Sequence, residues 1–312
     1  MADFRFRLNP RSVELPDCSA VLNGRGTRYE VNEYRTTLSL KSVVRGAARY
    51  RTPQGEYLVT PDSFLILNEG QRYSLEFEGR IRTETVCPFF QPGFVEQAIG
   101  TAAASCGRVL DQPELTAPAL DFCERLYPKT GAVGRALAHF VDGLRGPQAH
   151  AAWLEDGMYE LARALAELRC QVRDEAAGFP GLRPATRMEL YRRLHRARDF
   201  LRSCYQQPLT VAAVARVAGM APFHFQRMFK LAFGQTPMQF LQWTRLEAAR
   251  RLLVHTEDSI TEICLAVGFE SPGSFSWLFR KRFGASPRAL RAARQDHAQN
   301  RRIEEVSPGA LA

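Results

Sequence analysis

The 312-residue sequence predicts an α+β protein: a strand-built N-terminal half with accompanying helices, then an all-α C-terminal domain with two helix-turn-helix motifs. Three observations carry this reading. Apolar residues alternate in short runs over residues 10–90, helical periodicity takes over after residue 92, and the C-terminal third contains a degenerate repeat of about fifty residues.

The length accommodates two domains, and the composition, 45% hydrophobic and 24% charged, is that of a soluble globular chain. No apolar run reaches the length that spans a bilayer, and the first sixteen residues lack the apolar core of a signal peptide. The expectation is a cytoplasmic protein without a membrane partner. Seven cysteines, scattered and never spaced as CxxC, argue against a zinc ribbon or a disulfide framework and for reduced, mostly buried thiols.

In the N-terminal half, Thr37–Leu40, Glu56–Val59, Ser63–Leu67 and Tyr73–Phe77 read as strands. Between them, Pro53-Gln54-Gly55, Pro61-Asp62 and Asn68-Glu69-Gly70 read as turns. Strands at this spacing form a small antiparallel barrel or sandwich. Leu154, Met158, Leu161, Leu165 and Leu168 recur at helical steps, either as a dimerisation face or as the cover of the barrel. Residues 174–186, with two prolines and two glycines and no periodicity, read as a linker. The resulting division is 1–173, linker 174–186, helical domain 187–295 and a flexible tail 296–312.

Charge is distributed unevenly. Between Arg187 and Arg294 there are 18 lysines and arginines against 7 acidic residues, and the rest of the chain holds 24 basic and 26 acidic. Such a concentration is the footprint of a surface that neutralises phosphates, although a merely basic surface would look the same.

The repeat lies on this basic segment. Thr210 and Ser259 cap short first helices, and Gly219 and Gly268 end them in tight turns. Second helices start at Pro222 and Pro272 and stop at Gly234 and Gly284. In the first copy Phe225, Met228, Phe229 and Ala232 make a core stripe, leaving Phe223, Gln226, Arg227 and Lys230 on the opposite face. Gln, Arg and Lys suit adenine, guanine and phosphate respectively. In the second copy Phe275, Leu278, Phe279 and Phe283 form the core stripe, and Gly273, Ser276, Trp277 and Arg280 face outward. Residues 238–253 fit one long connecting helix. A solvated bundle face could carry similar groups, but two copies on the most basic segment favour DNA in the major groove.

With these residues in view, the C-terminal region resembles the AraC/XylS family of bacterial regulators. The resemblance is carried by the paired motifs, by the connecting run Arg245–Leu253, by Ile260-Thr261-Glu262-Ile263 with Val267-Gly268-Phe269, and by Phe279–Gly284 with Pro287. It implies a transcription regulator, more often an activator, that binds promoter DNA and acts on RNA polymerase. Its N-terminal domain would sense a small-molecule effector or mediate homodimerisation. The base-reading positions it implies are Phe223, Gln226 and Arg227 in the first helix and Ser274, Ser276 and Trp277 in the second; the residues themselves suggest phosphate contacts at Lys230 and at Arg280, Lys281 and Arg282. Two departures stand out: Ala221 replaces a usual capping serine, and Trp277 replaces a common arginine.

The strand region resembles the cupin-like barrel that many such regulators carry. The cupin enzymes bind a metal through histidines, and here no histidine precedes His139, so neither metal, cofactor nor catalytic residue is expected. Arg49, Arg51, Tyr57 and Tyr73 are the candidate ligand-binding residues, the arginines suiting a carboxylate; aromatic filling of a small barrel is the plainer alternative. An enzyme with a vestigial basic domain and a regulator without a ligand are the competing functions.

Overall fold

A computed structural model describes residues 4–8, 18–105, 121–143, 151–179 and 183–293. Cys106, His150, the centre of the expected linker and the tail lie outside the described residues. The chain separates into two compact units, Met1–Asp199 and Phe200–Ala312.

The first unit is a nearly closed, mostly antiparallel barrel with helices. Its strands are β1 (Phe4–Leu8), β2 (Ser19–Arg35), β3 (Ser39–Arg45), β4 (Ala48–Thr52), β5 (Gly55–Val59), β6 (Ser63–Leu67), β7 (Arg72–Phe89) and β8 (Leu126–Pro128). The 18-residue β7 organises them. One edge pairs with β2 over most of its length; the other pairs with β4 near its start and with β3 near its end. Register shifts between Gly26 and Arg28 and between Val31 and Tyr34 bend β2, which lets the sheet curl. β3 continues through β6 to β8, β5 pairs with β4, and β1 joins β2 in parallel.

The turns form where proline, glycine and asparagine require them. Thr52 Oγ accepts from the backbone N–H groups of Gln54 and Gly55, closing the β4–β5 hairpin over Pro53-Gln54. Gly70 sits at φ +78°, which a side chain would strain, and so completes the β6–β7 turn. The core holds Val43, Tyr50, Tyr57, Val59, Leu65, Leu67, Tyr73, Leu75 and Phe77.

Three helices accompany the barrel: α1 (Phe94–Ser105), α2 (Gly131–Gly143) and α3 (Ala151–Ala177). Leu154, Met158, Leu161 and Leu165 of α3 are all buried within the single chain, so this stripe is a cover. The first four turns of α4 (Pro184–Ser203) also belong to this unit. Asp199 accepts the Leu126 N–H at 2.7 Å, and the neighbouring Arg198 donates to the Leu126 carbonyl at 2.8 Å. The edge strand β8 thus finds its missing ladder partners in side chains.

The elements described in the second unit after α4 are helices: α5 (Val211–Val217), α6 (Pro222–Phe233), α7 (Pro237–His255), α8 (Ile260–Ala266) and α9 (Pro272–Phe283). The described cysteines are free thiols; Cys18, Cys87, Cys123, Cys204 and Cys264 are buried and Cys170 is exposed. Among the described residues no helix is long and apolar enough to cross a membrane, and no cluster of His, Cys, Asp and Glu could hold a metal.

Candidate nucleic-acid interface

The two helix pairs α5–α6 and α8–α9 are built by the same local chemistry. Thr210 Oγ accepts from the Ala213 N–H, and Ser259 Oγ from the Glu262 N–H. Glu262 returns a bond to the Ser259 N–H, a capping box that holds its carboxyl below the usual range. Both first helices end in the same hydrogen-bond pair. The N–H groups of Gly219 and Met220 reach the carbonyls of Arg216 and Ala215, and those of Gly268 and Phe269 reach Leu265 and Cys264. Gly219 at φ +61° and Gly268 at φ +91° permit this reversal, which turns the chain into the second helix.

The second helices differ at their start. Ser271 Oγ accepts from the Ser274 N–H and caps α9, whereas Ala221 gives α6 no side-chain cap. Ala221→Ser, at φ −64° and ψ 139°, meets a backbone already in capping conformation, and should stabilise the helical unit by about 0.5–2 kcal/mol in urea unfolding.

Each second helix is anchored by two phenylalanines. Phe225 and Phe229 are fully buried with ring centroids 5.4 Å apart, and Phe275 and Phe279 repeat this at 5.6 Å. Fixing these faces inward forces the opposite faces out. On α6, Phe223, Gln226, Arg227 and Lys230 are all exposed, with Phe223 at 81%. On α9, Ser274, Trp277, Arg280 and Lys281 are exposed and Ser276 is half-buried. Trp277 is 62% exposed, and the Lys281 ammonium lies 4.9 Å from its ring centroid, one turn along the helix. A large apolar side chain left in water on a basic helix is costly unless another surface covers it. In the common register of the two helices Phe223 corresponds to Gly273, and Trp277 to Arg227.

The connecting helix α7 enters both cores. Its Phe240 packs at 5.8 Å on Phe229, and Leu246, Ala249 and Leu253 join Ile263, Val267, Phe275 and Phe279. Arg245, on the same helix, donates to the carbonyls of Tyr205 and Gln207 at 2.7 and 2.8 Å. Its place in the connecting run gave no sign of this clamp, because the partners lie forty residues away.

In the strand unit, β2, β3, β4 and β7 line a chamber of about 350 Å³ that opens to solvent. Tyr73 lines it, together with Tyr50, Leu75, Phe77 and Phe89. The other expected ligand-binding residues are placed elsewhere. Along β4 side chains alternate, so Ala48 and Tyr50 point inward while Arg49 and Arg51 point outward, where both pair with Glu56 and Glu76. Tyr57 packs in the core without lining the chamber. Sequence reasoning missed Lys41, which lines the chamber from β3 and is 1% exposed.

A helix-turn-helix domain model matches residues 214–293. The HTH-type transcriptional regulator GlxA of Rhizobium meliloti is 38% identical over 91 residues, 29% of this chain and 28% of the relative. The HTH-type transcriptional activator RhaS of Escherichia fergusonii is 35% identical over 107 residues, 34% of this chain and 38% of the relative. The matched part therefore spans well under half of either relative's length. Among solved structures, the DNA-binding domain of AdpA in complex with a target DNA is 31% identical, covering 33% of this chain and 94% of that one, at a TM-score of 0.32.

Proposed function

With a C-terminal domain that belongs to the AraC/XylS family, we propose that this chain is a sequence-specific transcription regulator, an activator modulated by a small molecule in its barrel. The observation that carries the reading is the pair of exposed faces. Two helices with duplicated turns, glycine C-caps and phenylalanine anchors direct Phe223, Gln226, Arg227 and Lys230 on one side and Ser274, Trp277, Arg280 and Lys281 on the other toward solvent. From residue 204 to 293 there are 11 basic residues against 5 acidic, so the charge favours phosphate even without the arginines of α4.

In this reading Gln226 and Arg227 make paired hydrogen bonds to base edges, and Phe223 packs on a thymine methyl or a sugar. Trp277, braced by Lys281, fills the groove at the second helix, while Arg280 and Lys281 hold phosphates. RNA polymerase and a second copy of the chain are the proposed partners, and the cytoplasm the proposed location. The short Ser274 and a half-buried Ser276 offer the second helix few base contacts, which supports the first helix as the main reader.

Arg227→Ala is expected to weaken binding to the selected operator by about 1–3 kcal/mol and to relax preference at one base pair. Arg280→Ala should weaken all duplexes alike and lower the salt slope by about one. Gel-shift titrations at several salt concentrations, on an operator found by genomic footprinting, read both. Equal loss on operator and random duplex for Arg227→Ala would remove it from base reading.

A further inference from the structure

We propose that the barrel chamber takes a small monocarboxylic acid with an apolar body, its carboxylate held by the Lys41 ammonium. The proposal rests on the ligand-responsive reading above and names the class of effector.

Lys41 sits in the middle of β3, whose residues Ser39 to Val43 are all buried. Its Nζ has no hydrogen-bond partner, and lies 3.8 Å from the Phe89 ring centroid and 4.3 Å from that of Tyr73. Ring faces favour a cation but supply none of the three acceptors an ammonium can use. Buried amines ordinarily meet a carboxylate, yet the described residues lining this chamber include Lys41, Arg25 and Arg28 and no acidic side chain. Arg25 is engaged by Glu84 at 2.8 Å, and it and Arg28 are exposed, which leaves Lys41 as the buried cation facing the cavity.

The rest of the chamber decides the body of the ligand. Leu22, Val31, Leu75, Phe77 and Phe89 give it apolar walls, and its volume is at the small end of ordinary ligand sites. A phosphate would bring more charge than one buried ammonium balances. A phenyl ring or short alkyl chain ending in one carboxylate satisfies the walls and the cation together.

The test uses the full chain in calorimetric titration and thermal shift with benzoate, phenylacetate, hexanoate and octanoate, each against its own amide. At least one acid should raise the melting temperature and bind about tenfold or more tightly than its amide. Lys41→Met should erase that preference while keeping a cooperative melting transition. An amide that binds as tightly as its acid, or an acid whose binding survives Lys41→Met, overturns the role of Lys41 and leaves ligand sensing standing. No shift from any acid overturns the carboxylate class. If neutral sugars and amides also give no shift and operator binding responds to none of them, the ligand-responsive reading falls as well.

Discussion

Lys41→Met should make the strand domain more stable, by roughly 2 kcal/mol or more below pH 7. Burial pushes the Lys41 ammonium down to about 7 from an ordinary 10.5, against a weaker opposing contribution from Cys87. For a base whose pKa is lowered on folding, the unfolded chain holds the proton more tightly than the folded one. The cost of burying the charge is therefore complete below about pH 7. It declines as pH rises toward 10.5, where both states become neutral. Methionine keeps the length and the apolar stem without the charge. Urea unfolding of both proteins at pH 6 and pH 9.5 checks the sign: the gain must be the larger at pH 6. A variant less stable than the parent at pH 6 would mean that the amine contributes more than its desolvation costs.

Gly268→Ala is the substitution expected to cost most in the helical unit, roughly 2–4 kcal/mol. The residue lies at φ +91°, and an added Cβ would meet the Gln206 carbonyl oxygen at 2.8 Å and the Arg245 guanidinium at 3.1 Å. That guanidinium is held by the Tyr205 and Gln207 carbonyls and has little room to move. Gly284 provides the contrast, because it too has positive φ, +75°, but nothing lies within 4 Å of its Cβ position. Gly284→Ala should cost about 1 kcal/mol, the backbone strain alone. Equal losses at the two sites, measured by urea unfolding, would show that the close approach of Gln206 and Arg245 contributes nothing.

These two residues also mark what a sequence can and cannot display. The helix-turn-helix units were legible because every device in them is local. Thr210, Ser259, Gly219, Gly268, Pro222 and Pro272 act on backbone groups within six residues, and the phenylalanine anchors recur at a four-residue step. The barrel was legible only in its hairpins. Strand β2, with charged residues along its outer stretch, gave no clean alternation, and β8 owes its place to Asp199, 73 residues away. Lys41 was illegible for a related reason: in an alternating strand a lysine reads as the solvent face, but β3 is covered on both sides. Arg49 and Arg51 face away from the chamber that Tyr73 lines. Their neighbour Tyr50 is inside, and one step along a strand puts a side chain on the other face. Arginines 192, 193 and 198 carry a similar lesson, since each is spent on Asp121, Glu189 or Asp199 rather than left for phosphate.

The helix α7 has a consequence for what the protein can evolve to recognise. Because it is rooted in the packing of both motifs, it sets their rotational phase as a rigid spacer. Removing one residue from its middle would swing one reading head by about 100° about the axis and draw it in by about 1.5 Å. No bending of a flexible joint could absorb that change, since Phe240 and Leu253 are buried on their respective sides. A target with one base pair more or less between its two contact segments would therefore be out of step with the protein. Under the proposed function, new targets would then arise by exchanging exposed side chains of α6 and α9 at constant pitch.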